Sequence, residues 1–390
     1  MRIRDAIDEP AASRAGGHGA APASQFLWYI PNQIDGGHRG DTPSPDLATF
    51  DLLTAHARAV EDGGWQGALI GTSWGRFDAW TLASALTAAT RRFEPLVAIR
   101  PGYWQAAQFA AAAATLDHLS GGRLRVNIVS GRDELGAYGD GEDASARRYD
   151  RTREFMVLVR RLWSGETVNF AGAFYQVADA RLAPPVARRP GRAHPPLYFG
   201  GASPAAEAVA AGHADVQLFW GEPLDGIAER ISRLRALSRT LDRDLPPLEF
   251  GLRITTVVRE TSEAAWAAAH AKLAAMAQGW SEASWVHQSA AAFGQARLNA
   301  LHASGDVLDD NLFTAPARLG AGGAASTWLV GSAAEVAAAL ARYRALGISH
   351  FVLSDTPYRE EADRQGRLLL PLLREAALSA GQTPARATRP

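Results

Sequence analysis

Eight short runs of β-branched and aromatic residues recur along this chain, separated by longer Ala-, Leu- and Arg-rich segments of helical period. That alternation admits few folds. The runs lie at 26–30, 67–71, 94–99, 123–129, 197–200, 214–219, 248–258 and 350–354. Short apolar runs joined by crossover helices are the pattern of parallel strands. Eight repeats favour a closed (β/α)8 TIM barrel of the α/β class over an open sheet, and in such barrels chemistry sits at the C-terminal strand ends. One helical run, 46–62, stops at Gly63 and Gly64, where glycine tolerates the left-handed geometry of a helix end.

Two segments break the alternation. Residues 167–177 read as strand, Ala171-Gly172 turn and strand, a hairpin between the fourth helix and the fifth barrel strand. Residues 278–331 are a longer insertion holding Gly320, Gly322 and Gly323, and excursions of that length are often active-site lids. Residues 1–24 lack the hydrophobic core of a secretory signal and read as a disordered tail. The expected organisation is therefore one barrel domain over 25–380, with a C-terminal tail at 381–390.

Composition removes several function classes. A formal net charge of -1 gives no long-range attraction for nucleic acid or an anionic membrane, which leaves a small molecule as the expected partner. No stretch of roughly 18 apolar residues is free of charge, so no bilayer span is expected. With Cys 0, disulfides, thiolate zinc sites, iron–sulfur clusters and a cysteine nucleophile are excluded, and a cytoplasmic location fits. Lys272 is the one lysine, and in an alanine-rich helical run it reads as a solvated surface charge rather than a Schiff-base amine.

Two motifs suggest chemistry that their context does not support. Gly71-Thr72-Ser73-Trp74-Gly75 matches the nucleophile elbow of serine hydrolases, but only one strand precedes it where such enzymes place several. Asp35, His38 and Asp41 have no standard metal-ligand spacing, and Asp35-Gly36-Gly37 reads as a turn. No metal is expected.

Three other features converge on a phosphate. Ser130-Gly131 ends the fourth strand, Arg148-Tyr149 opens the helix after it, and Gly200-Gly201-Ala202-Ser203 joins the fifth strand to a helix N-terminus. Glycines let backbone N–H groups approach an anion, while the helix start and the hydroxyls of Ser130, Tyr149 and Ser203 complete a binding site. Trp28, Trp74, Trp104 and Trp220 fall near strand ends, where planar side chains wall a flat cofactor or pack the barrel rim.

At these residues the chain resembles the bacterial luciferase-like superfamily of flavin-dependent oxidoreductases, and most closely the FMNH2-dependent alkanesulfonate monooxygenases. The matching blocks, between Phe26 and Leu373, are Asp78-Ala79-Trp80, Ala114-Thr115-Leu116-Asp117-His118-Leu119-Ser120-Gly121-Gly122-Arg123, Tyr198-Phe199-Gly200-Gly201, Trp220-Gly221-Glu222-Pro223 and Phe351-Val352-Leu353-Ser354. The resemblance implies a two-component monooxygenase that takes reduced FMN as co-substrate from a separate NAD(P)H-dependent flavin reductase and uses O2 to oxidise a small anionic or organosulfur substrate. Alkanesulfonates give an aldehyde and sulfite. It also implies a homo-oligomer, dimer or tetramer. Thr72, Arg100 and Asn127 join Trp28, Trp220 and the phosphate residues in the expected cofactor set.

The substrate end of the resemblance is thinner. Arg253 matches a family active-site arginine, and Thr255, two residues on, shares its strand face. A guanidinium suits a sulfonate because it offers fixed donors and permanent charge. Arg76 stands where the family has a cysteine, Thr255 where it has a histidine and Thr356 where it has a tyrosine. The family's mobile-loop arginine falls near Gly322, with Arg318 the nearby replacement. The candidate catalytic set is thus Arg76, Arg253, Thr255 and Arg318, and these departures keep a deazaflavin-dependent oxidoreductase of the same superfamily in play.

Overall fold

The computed structural model describes residues 23–32, 49–130, 147–187, 191–278, 293–319 and 325–381. In chain order its strands are β1 (Gln25–Ile30), β2 (Gly67–Ile70), β3 (Glu94–Ile99), β4 (Arg125–Ile128), β5 (Val168–Ala171), β6 (Gln176–Ala180), β7 (Leu197–Gly200), β8 (Val216–Trp220), β9 (Glu249–Arg259), β10 (Val307–Leu308), β11 (Leu312–Phe313), β12 (Trp328–Ser332) and β13 (Ile348–Ser354). Strands β1, β2, β3, β4, β7, β8, β9 and β13 pair in that order, all parallel, and β13 pairs back to β1. The ring is a closed (β/α)8 barrel. Strands β5 and β6 form the hairpin outside it, turning at residues 172–175.

Around the ring lie α1 (Phe50–Asp62), α2 (Ala79–Ala89), α3 (Ala106–Leu119), α4 (Arg148–Ser164), α5 (Pro204–His213), α6 (Leu224–Thr240), α7 (Ser262–Gln278), α8 (Phe293–Leu301), α9 (Ala333–Leu346), α10 (Tyr358–Leu368) and α11 (Leu370–Gly381). Thr49 caps α1 through its side chain, and Gly64 at φ +85° carries the chain out of it. Among the described residues no helix is long and apolar enough to cross a membrane.

Alternation along each strand sorts side chains into two cores. Leu27, Tyr29, Leu69, Leu96, Ala98, Tyr198, Leu218 and Val352 fill the barrel interior. Phe26, Trp28, Ile30 and their counterparts pack under the helices. With both faces covered, the strands read as near-continuous apolar runs, which is why the sequence shows their places but not their facing. At the N-terminal end the interior is plugged by polar side chains. Arg125 donates to Tyr198 Oη and Gln25 Oε1, each at 2.8 Å, and pairs with Glu94. Tyr198 Oη lies 2.8 Å from His350 Nδ1, and His350 Nε2 lies 2.7 Å from Glu249 Oε2. The opposite end opens into a cavity.

The insertion over 278–331 carries regular structure that short-range patterning did not reveal. Strand β12 runs parallel to the end of β9, with Trp328 opposite Thr255 and Ser332 opposite Arg259, and β11 and β10 add antiparallel to it. Residues Gly320 to Gly323 lie outside the described residues. Lys272 corrects a sequence expectation. Its side chain is 12% exposed, and Nζ donates to Asp355 Oδ1 at 2.9 Å and Thr356 Oγ1 at 3.1 Å. Helix α7 carries it over the ends of β9 and β13, where the fully buried Asp355 requires a cationic partner.

Candidate active site

At the C-terminal end of the ring a cavity of about 370 Å³ opens between the strand-end loops, a size typical of small-molecule sites. Leu69, Ala98 and Leu218 make its apolar floor, and its walls mix apolar Val129, Trp220 and Phe293 with Arg76, Asn127, Tyr149 and Arg253.

One end is built from two helix N-termini. Helix α4 begins at Arg148 and Tyr149, α5 begins just after Ser203, and all three residues line the cavity with Gly200, Gly201 and Ala202. Helix starts present unpaired N–H groups and the positive end of the macrodipole, so two starts beside an arginine make this the end of the cavity that favours negative charge. Ser203 Oγ accepts from the Ala206 N–H at 3.3 Å, which caps α5, and donates to Tyr149 Oη at 3.2 Å, which ties the two starts together. A Cβ on Gly200 would have only Leu218 O within 4 Å, at 3.5 Å, so that face of the turn is open. A Cβ on Gly201 would come within 2.5 Å of Ala206 Cβ, so the close seating of α5 needs glycine there.

A buried ion cluster fixes this turn. Arg230, 2% exposed, donates to Gly201 O at 2.7 Å, Glu222 Oε1 at 2.7 Å and Glu207 Oε1 at 3.0 Å. Gln217 Nε2 donates to the same Gly201 carbonyl at 3.1 Å. Because a trans peptide points its C=O and N–H in opposite directions, holding this carbonyl turns the Ala202 N–H the other way. Arg297 on α8 donates to Glu222 Oε2 at 2.5 Å, and Glu222 holds the Arg297 guanidinium above its ordinary pKa. A Cβ on Gly294 would come within 3.1 Å of Trp220 Cζ3, so α8 lies directly against that tryptophan.

The other end gathers side chains from β1, the loop after β2, and β9. Asn32 Nδ2 donates to Gly71 O at 2.6 Å and Phe77 O at 2.8 Å, which pins the loop to the end of β1. Within it, Arg76 Nε donates to Ser73 Oγ at 2.8 Å and Nη1 to Tyr29 Oη at 2.8 Å. Arg253, opposite Trp220 in the β8–β9 register, places its guanidinium 4.4 Å from the centre of the Tyr29 ring.

Of the residues expected from sequence, the cavity brings together Thr72, Arg76, Asn127, Tyr149, Gly200, Gly201, Ala202, Ser203, Trp220 and Arg253. Several others stand elsewhere. Trp28 does not reach it: strand alternation turns Tyr29 inward and Trp28 outward, where its Nε1 donates to Tyr358 O at 3.0 Å. Arg100 is buried with its guanidinium over the Tyr103 ring at 5.4 Å. Ser130 bonds to Thr152 in the first turn of α4, so it ties β4 to that helix instead of lining the cavity. Thr255 is buried beyond the lining, level with Trp328 and Ser354. Arg318 is half-exposed, 3.5 Å from Asp306 and away from the cavity. Thr356 is buried against Lys272. Trp104 packs on Trp80 and Phe109, Trp74 is exposed, and Gly131 with Asp35, His38 and Asp41 lies outside the described residues.

Tyr29, Glu222 and Arg230 were not picked out as site residues. Arg230 had a readable signal, since it lies on the buried face of α6 with Ile227, Ile231 and Leu234, where a charge needs a reason. Ser73 lines the cavity with its hydroxyl against Arg76, and no histidine is among the described lining residues, so it has no general base there.

The luciferase-like monooxygenase family model matches residues 24–350. The chain belongs to that family. It is thereby a flavin-dependent oxidoreductase of the monooxygenase type. Among solved structures, this luciferase-like monooxygenase is similar to a riboflavin lyase in complex with modified FMN and riboflavin, at 20% identity, 91% of this chain and 92% of that one, with a TM-score of 0.72. A long-chain alkane monooxygenase matches at 17% identity over 91% and 92%, with a TM-score of 0.69. DmoA from Hyphomicrobium sulfonivorans matches at 18% over 92% and 88%, with a TM-score of 0.68, and F420-dependent enzymes share the architecture too. At these identities the likeness is one of fold.

Proposed function

We propose that the protein is the oxygenase component of a two-component system, taking reduced FMN from a separate NAD(P)H-dependent reductase and using O2 to oxidise a small anionic or organosulfur substrate. The observation that carries this is the meeting of two helix N-termini, Arg148, Tyr149 and the Gly200–Ser203 turn on one end of the cavity. Such a cradle fits the phosphate of a flavin mononucleotide. Reduced FMN, once bound, would supply the two electrons of oxygen activation, chemistry that none of the described side chains lining the cavity provides.

The chain's own residues bind and orient. The cradle fixes the phosphate, Trp220 and the apolar floor take the planar and hydrocarbon parts, and the arginine-rich end faces the substrate. With an alkanesulfonate the products are an aldehyde and sulfite: the C–S bond breaks, one oxygen atom ends in the aldehyde and the other in water. Anaerobic titration with reduced and oxidised FMN, followed by oxygen exposure against sulfonates and sulfones with mass detection, tests both halves. The expected result is tighter binding of the reduced flavin and substrate-dependent product. Failure of reduced FMN to bind, or a preference for a deazaflavin, overturns the cofactor assignment.

A further inference from the structure

From two buried side chains that grip one backbone carbonyl, we infer that Arg230 and Gln217 are positioning residues that set the preference of this cavity for a phosphorylated flavin over an unphosphorylated one. The inference rests on the proposal that the Gly200–Ser203 end takes the flavin phosphate, and it names what makes that end selective. Helix α5 by itself offers an anion little. Pro204 in its first turn brings no N–H, and the Ala206 N–H is already taken by Ser203 Oγ at 3.3 Å. The Ala202 N–H, one residue before the cap, meets no acceptor among the described residues, and Ala202 lines the cavity. Whether that N–H serves a ligand depends on which way the Gly201–Ala202 peptide is turned, and a glycine beside it leaves both ways open.

Two donors fix the turn of this peptide. Arg230 donates to the Gly201 carbonyl at 2.7 Å and Gln217 Nε2 donates to it at 3.1 Å. Both come from the helix side of the barrel wall: Leu218 fills the interior, so its neighbour Gln217 on β8 points outward, and Arg230 lies on α6. In a trans peptide the carbonyl and the following N–H are opposed. A carbonyl drawn to the helix side therefore sends the Ala202 N–H toward the barrel axis, where the cavity lies. The guanidinium cannot swing away, because Nε is held by Glu207 of α5 at 3.0 Å and Nη1 by Glu222 at 2.7 Å.

Gln217 supplies an independent sign that the clamp serves binding. It is 0% exposed, and its Oε1 meets no donor among the described residues. A helix-facing strand position ordinarily takes an apolar side chain, as Phe199 and Phe219 beside it do. An unmet buried acceptor destabilises the fold, so stability does not call for glutamine here. Its one side-chain hydrogen bond among the described residues is the one to the Gly201 carbonyl.

The test is anaerobic titration of the full chain with reduced FMN and with reduced riboflavin, which differ only in the phosphate, followed by quenching of tryptophan fluorescence. Wild type is expected to bind reduced FMN at least about tenfold tighter than reduced riboflavin. Gln217→Met keeps the volume and removes the unmet oxygen, so its denaturant stability should equal or exceed that of wild type. Its affinity for reduced FMN should nonetheless fall about three- to tenfold with reduced riboflavin unchanged, a split that a merely structural role would not produce. Arg230→Met should lose about ten- to a hundredfold for reduced FMN alone, the size of a charged hydrogen-bonded contact, and Gln217→Met keeps the test intact if that variant does not fold. An FMN-to-riboflavin ratio in the folded variants equal to that of wild type overturns the inference. Equal affinity of wild type for the two reduced flavins also overturns it and leaves a flavin site standing. Binding of neither flavin by wild type sinks the cofactor assignment itself, on which the inference rests.

Discussion

Replacing Arg230 by methionine probes the cluster beneath the Gly200–Ser203 turn, and its cost follows from the partners left behind. The guanidinium makes bonds of 2.7 to 3.0 Å to Glu222, Glu207 and the Gly201 carbonyl, and it lies 4.6 Å from the centre of the Phe219 ring. Removing one partner of a buried ion pair costs about 3–5 kcal/mol, because the remaining charge stays desolvated. Here Glu207 keeps Arg233 and Glu222 keeps Arg297, so the lower end, about 3 kcal/mol, applies. At about 2.1 cal/mol/K of unfolding entropy per residue, this lowers Tm by roughly 4 °C. Denaturant unfolding measures the energy directly. Adding Glu207→Gln and Glu222→Gln should recover more than half of it, since Arg233 and Arg297 are partly exposed and can turn to water. A loss below about 1 kcal/mol, or no recovery in the triple variant, would refute the attribution of the cost to buried charges left without a partner.

Gly201→Ala should weaken reduced-FMN binding about tenfold, because the added methyl meets Ala206 Cβ at 2.5 Å and shifts the start of α5; anaerobic titration checks it. Lys272→Ala should destabilise by about 3 kcal/mol, read by chemical denaturation, because it leaves the buried Asp355 carboxylate with only the Arg259 guanidinium, 4.0 Å away, as a cation recorded beside it, whereas a solvated lysine would cost under about 0.5 kcal/mol. Burial first, and neighbouring Asp355 next, push the Glu361 carboxyl up from 4.5 to about 7, so the folded state binds this proton more tightly than the unfolded chain. That contribution to stability is complete below pH 4.5 and is lost as pH rises through about 7. Wild type should therefore lose stability relative to Glu361→Gln across that window, and parallel stability curves would contradict the burial argument.

The barrel was legible because its strands are apolar on both faces and bounded by helices, so their places survive any uncertainty about side-chain direction. Direction itself was not legible. Leu27, Trp28 and Tyr29 are all apolar or aromatic, and only ring closure shows that Tyr29 faces the cavity and Trp28 the helices. The strands of the insertion escaped notice because β10 and β11 are two residues each, too short for any period, and β12 owes its place to pairing with a distant strand. Lys272 was misplaced for a related reason: alanine fills much of α7 and its polar residues gather on no one side, so its sequence shows no polar face from which to infer which side is buried.

The two ends of the cavity differ in the same respect. The end proposed for the phosphate is made of two short runs, Arg148-Tyr149 and Gly200 to Ser203, each at a strand end or helix start, so local sequence carries most of its geometry. The arginine end is assembled from residues 29, 76 and 253, whose meeting depends on the whole ring. A departure such as Arg76 therefore rewrites one end without touching the other. Among the described residues Arg76 bonds Ser73, Tyr29 and Asn32, none of them in the Gly200–Ser203 turn, so substitutions there should change which substrates bind while leaving flavin affinity in place. If the turn binds the flavin phosphate as proposed, exchanging Arg76 alone should leave reduced-FMN affinity within about twofold, and a larger loss would show that the two ends are coupled.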